Sequence, residues 1–69
     1  MISIWVVYEH PGDYPESYVA RLFTGETPTA SIIIADDLET IRTIMLADFG
    51  LACLARHPDD DPKIVETWL

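Results

Sequence analysis

Sixty-nine residues with 49% apolar content allow one small core, and they exclude both a second domain and a disordered chain. Twelve acidic against four basic residues give a net charge of −8. Arg21, Arg42, Arg56 and Lys63 stand singly, so no basic patch exists to hold a nucleic-acid backbone. The single cysteine, Cys53, excludes an internal disulfide framework and fits a reducing compartment.

No apolar run approaches the ~20 residues a bilayer span needs. No basic stretch followed by an apolar core resembles a secretory leader. The expectation is a soluble, cytoplasmic protein forming one domain over residues 1–69.

Residues 1–9 open with Ile2-Ser3-Ile4-Trp5-Val6-Val7-Tyr8, rich in β-branched and aromatic side chains, and read as a strand. Ile2, Ile4, Val6 and Tyr8 share one face; Ser3, Trp5, Val7 and Glu9 share the other. Both are substantially apolar, which marks an interior strand. Two prolines and a glycine in residues 10–16 stop it. Residues 17–24 resume an extended pattern, so a hairpin with a longish loop is the simplest connection. A second break spans residues 25–29, and Ser31-Ile32-Ile33-Ile34-Ala35 reads as a brief buried strand or an extended lead-in.

Residues 36–50 carry the clearest helical pattern. Asp36 and Glu39 have capping-box spacing, and Gly50 stands where a left-handed residue ends a helix. Leu38, Ile41, Met45 and Phe49, with Ile44 beside them, form one apolar stripe, while Glu39 and Arg42 are spaced to pair on the surface. Beyond Gly50, residues 51–56 are assigned to a strand, residues 57–62 to a loop and residues 63–69 to a final strand.

The expected fold is therefore α+β: two layers, one helix on a mostly antiparallel sheet, in the order β-β-(β)-α-β-β. One helix covers one face, yet the strands carry bulky apolar residues on both. With the helix over the other face, Trp5 and Val7, together with Trp68, would lie on a bare surface larger than monomers usually show. A homodimer burying that face is the expectation.

The segments from His10 to Pro15 and from His57 to Pro62 share the pattern H-P-x-D-x-P. Turn chemistry alone accounts for such a pattern. The functional reading is a histidine near carboxylates in each, with His10, Asp13, His57 and Asp60 as metal-ligand candidates. No zinc or calcium signature is present, so neither metal nor other cofactor is implied. Tyr8, Tyr14 and Tyr18 surround the first loop, either as an interaction surface or as a cover for the hairpin. Candidates for an interaction surface are thus Trp5, Val7, Tyr14, Tyr18 and Trp68.

No catalytic residue is assigned. Cys53 lies in an apolar run where cysteine is usually a small buried hydrophobe, and Ser3, Ser17 and Ser31 lack a nucleophile-elbow context.

Residues 4–21, I-W-V-V-Y-E-H-P-x-D-Y-P-x-S-Y-V-A-R, and residues 60–69, D-D-P-x-I-V-E-T-W-L, with the A-D-D-L-E-T-I-R helix start, resemble short uncharacterised proteins of bacteria and their prophages. The resemblance implies a freestanding small protein and brings no activity. Two functions are weighed: a non-enzymatic acidic module that binds another protein, and a metal- or small-molecule-binding module built on the two His/Asp loops.

Overall fold

A computed structural model describes residues 2–55 and 63–69 of the chain. The elements run β1 (Ser3–Glu9), β2 (Tyr18–Thr24), β3 (Thr27–Ala35), α1 (Leu38–Thr43), a π-helical turn (Ile44–Asp48), β4 (Cys53–Ala55) and β5 (Ile64–Trp68). The five strands form one antiparallel sheet in the order β3-β2-β1-β5-β4. β1, apolar on both faces, is the central strand. β4, whose partner the sequence left open, pairs with β5.

The third strand is longer than its sequence signal. Thr24 pairs with Thr27 across a two-residue turn of Gly25 and Glu26. Gly25 has φ +61, and glycine as the left-handed first residue of such a turn is the II′ arrangement. Pro28 looked like part of a break, but β3 is an edge strand, where a proline leaves no ladder partner unmet.

The helix is shorter than its pattern, and its cap sits one residue later. Asp37, not Asp36, is the N-cap: it is the last extended residue, and its Oδ1 accepts the Thr40 amide at 2.8 Å. That hydrogen bond holds the Asp37 carboxyl below its ordinary range. The Thr43 hydroxyl donates to the Glu39 carbonyl at 3.0 Å, a back-bond that perturbs the ladder just where it widens. From Ile44 the turn is π-helical, closed by the Phe49 amide on the Ile44 carbonyl. Gly50, at φ +64, ends it as its position suggested.

Strand register decides which residues share a face. Ile33, Ala20, Val7, Glu66 and Ala55 form one row across all five strands; Ile32, Arg21, Val6, Thr67 and Leu54 form the neighbouring row on the opposite face. The helix covers the first of these faces. Ile41 and Met45 are fully buried against Val7, Ala20 and Trp68, with Trp5, Tyr18, Ile33, Ala35, Leu38 and Ile44 around them. Phe49, at the end of the expected stripe, is exposed but stacks on Trp5, ring centroids 5.6 Å apart and 14° from parallel.

This corrects the assignment of faces. Trp5, Val7 and Trp68 lie under the helix, and the open face carries Ile4, Val6, Tyr8, Phe23, Ile32, Ile34 and Leu54. A helical stripe cannot tell which of two apolar sheet faces it will cover.

The buried part of the stripe sets a stability test. Met45→Ala should cost about 2–5 kcal/mol in urea unfolding, since it opens a cavity beneath the helix. Leu46, one residue on and 64% exposed, should change stability by less than about 0.5 kcal/mol when cut to alanine. Equal costs at the two positions would contradict this helix orientation.

Candidate functional site

Two polar constellations stand out among the described residues, one on each face. Under the helix, Glu66 is only 4% exposed, although it belongs to the central row beside Val7. An isolated carboxylate there would be costly, and this one is fully engaged. Arg42 donates from Nε and Nη2, at 3.1 Å to Oε1 and 3.1–3.2 Å to Oε2. Trp68 Nε1 donates to Oε1 at 3.1 Å, and the Cys53 thiol lies 3.5 Å from Oε2.

Burial works against the charged form of Glu66. The hydrogen bonds from Arg42, Trp68 and Cys53 outweigh it and hold the carboxyl below the ordinary glutamate range. In return, hydrogen bonding to Glu66, reinforced by its charge, keeps the Arg42 guanidinium firmly protonated. Arg42 therefore reaches across to the sheet rather than along the helix to Glu39. Cys53 sits at an exposed position on the edge strand, not a buried one. Desolvation of its thiol, followed by the neighbouring carboxylate, pushes its pKa up, the opposite of what a nucleophile needs. This cluster joins helix to sheet and offers no group to a substrate.

The open face holds a cavity of about 290 Å³ lined by Tyr8, Pro11, Asp13, Tyr14, Val19, Arg21, Phe23 and Pro28. Tyr8, Val19, Arg21 and Phe23 come from β1 and β2, where alternation sends them away from the helix. Pro11, Asp13 and Tyr14 come from the β1–β2 loop. That loop is held by its own backbone: His10 N–H to Ser17 O at 3.0 Å, Tyr14 N–H to Pro11 O at 2.9 Å and Ser17 N–H to Tyr14 O at 3.1 Å. Val19 forms part of the cavity wall and is fully buried, although the helix lies on the other face.

Arg21 and Asp13 approach to 3.8 Å across the cavity, with Asp13 largely exposed. A single long contact between a half-buried arginine and an exposed carboxylate is weak and exchangeable. The guanidinium can therefore turn its donors to an incoming acceptor. Three aromatic rings, two prolines and one flexible cation make a pocket for an apolar group carrying a hydrogen-bond acceptor.

The residues singled out from sequence are dispersed. Tyr14 lines the cavity; Trp5, Val7, Tyr18 and Trp68 belong to the helix-covered core or its margin. Asp13 faces Arg21. His10, at φ +49, caps the loop: its Nδ1 is 2.8 Å from the Pro15 carbonyl and its ring lies 5.2 Å from that of Tyr18. A carbonyl only accepts, so Nδ1 carries the proton there. His57 and Asp60 lie outside the described residues.

Lys63 meets the start of the first loop at one end of the sheet. Glu9 N–H donates to Lys63 O at 2.7 Å, and Lys63 Nζ to His10 O at 3.0 Å. Among the described residues no three of His, Cys, Asp or Glu are grouped to hold a metal ion. No helix among them is long and apolar enough to cross a membrane.

Sequence reasoning missed Arg21, Phe23, Val19 and Glu66. The signal for Glu66 was a lone carboxylate inside an apolar strand, two residues from a tryptophan. Phe23 and Arg21 become visible only once the faces are known.

The Glu66 cluster predicts a pH dependence. The folded pKa of Glu66 lies below its unfolded value near 4.5. Its contribution is therefore complete above that value and is lost as pH falls through the folded pKa. In urea titrations, the stability gap between wild type and Glu66→Gln should be constant above about pH 5 and should close below about pH 4.5. A gap that persists at acid pH would contradict a charged Glu66. Glu66→Ala, which also orphans the Trp68 N–H, should cost about 1–3 kcal/mol at neutral pH.

No protein-family model, curated protein or solved structure matches this chain.

Proposed function

We propose that this chain is a small acidic protein-binding module, not an enzyme, and that its binding surface is the sheet face away from the helix. One observation carries the reading. The cavity between Tyr8, Tyr14 and Phe23 opens on a face that also displays Ile32, Ile34 and Leu54 as exposed apolar groups. Exposed apolar area around a concave aromatic pocket is the anatomy of a protein interface.

The partner would lay an extended segment along β2, seat one apolar side chain in the cavity and give a backbone carbonyl to Arg21. The net charge of −8 favours a partner basic outside that anchor, because complementary charge speeds encounter. The resemblance to small bacterial and prophage proteins supports the same class only by analogy, as such proteins often act by attaching to others.

Selection of a random-peptide display library against the folded chain tests this. Enriched peptides should combine a bulky apolar residue with flanking lysine or arginine. They should shift the amide resonances of Val19, Arg21 and Phe23, and should lose at least about tenfold in affinity, roughly 1.4 kcal/mol, with Tyr14→Ala. No enrichment, or shifts confined to α1 and the π-helical turn, would contradict the proposal.

A further inference from the structure

We infer that two copies of this chain join edge to edge through β3, antiparallel about a two-fold axis at Ile33, so that their two sheets become one. The inference rests on the edge strand and is independent of what the open face binds.

β3 is the long free edge of the sheet: nine residues, against three for β4 at the other edge. An edge of this length is a template for another strand unless charges, prolines or bulges blunt it. Pro28 stands near its start. The pairing with β2 is irregular over residues 29–31, where the Thr29 hydroxyl takes the Leu22 carbonyl at 2.9 Å. Both devices guard only the first half. From Ile32 to Ala35 the strand pairs one to one with Arg21 to Tyr18, and Ile32 and Ile34 project from it 36% and 45% exposed. Nothing charged interrupts Thr27–Ala35.

Charge limits where a second copy can join and fixes the register. Two chains of charge −8 repel, so a self-contact has to sit on an uncharged strip, and Thr27–Ala35 is the longest stretch of the sequence free of Asp, Glu, Lys and Arg. The strip is flanked by Glu26 on one side and by Asp36 and Asp37 on the other. An axis at Ser31 would set Asp36 against Glu26 of the partner copy. An axis at Ile33 sets Asp36 and Asp37 against Ala30 and Thr29 instead. It also brings Ile32 against the other copy's Ile34 on the open face, and Ile33 against its own counterpart on the helix face, so that β-branched residues pair across strands. A two-fold of this kind leaves both cavities on the same side of the joined sheet, where a partner offering two anchors would be held far more tightly than by one.

Sedimentation velocity on the full chain, across protein concentration and at low and high salt, tests the inference. The wild type should dimerise at high concentration, and more strongly in high salt, which screens the repulsion. Ile34→Lys should weaken the dimer at least tenfold. Leu54→Lys, equally exposed on the same face but at the opposite edge, should leave it unchanged. Amide exchange adds a readout that needs no variant: the backbone of residues 31–35 should become more protected as concentration rises. A chain that stays monomeric throughout, or a dimer that ignores Ile34→Lys, would overturn the inference. So would a dimer weakened as much by Leu54→Lys, since that outcome means face-to-face association.

Discussion

The carboxylate of Glu66 is the constraint around which the molecule is arranged. It occupies the central row of the sheet, where water is excluded, and there a charge persists only with a full set of donors. Two of the side chains that serve it, Trp68 and Cys53, come from β5 and β4; the third, Arg42, comes from the helix. The Arg42 bond is therefore directional: it ties α1 to the face that carries Trp5, Val7 and Trp68. Hydrophobic burial of Ile41 and Met45 supplies the bulk of the attachment but is indifferent to direction. The ion pair adds the orientation.

Once the helix is committed to that face, the other face has no helical layer among the described residues. The β1–β2 loop covers only part of it, with Pro11 and Tyr14 beside Val19 at one side of a cavity. The remainder displays Ile32, Ile34 and Leu54. Among the described residues no second layer of secondary structure covers that side of the five strands. The net charge of −8 disfavours contact between copies wherever like charges would meet.

The first two strands with the break between them, the last strand and the centre of the helix were legible in the sequence, from β-branched and aromatic runs and the 38-41-45 spacing. β3, by contrast, begins at Thr27, inside what reads as a break. The face assignment was not. β1 is apolar at odd and even positions alike, so nothing in Ile4-Trp5-Val6-Val7 says which side meets the helix. Trp68 proved to be buried beneath the helix, and Trp5 partly buried beside it. Glu66 held the answer, as a carboxylate that had to find a donor, and Arg42 was its nearest candidate on the helix, but pairing the two requires the fold.

The cavity was half visible for a similar reason. Tyr8 and Tyr14 are marked by their place around a loop, while Arg21 and Phe23 sit in a strand whose facing depends on register. The π-helical turn left no sequence signal, since neither glycine nor proline interrupts Ile44–Asp48.

The most direct measurement is a methyl-based nuclear Overhauser experiment on the isotope-labelled chain, read from the Met45 terminal methyl. The account predicts cross-peaks to the Trp68 indole and to the Val7 methyls, and none to Val6 or to the Tyr8 ring. Cross-peaks from Met45 to Val6 and Tyr8 would place the helix on the opposite face and contradict the Glu66-directed arrangement on which both proposed surfaces depend.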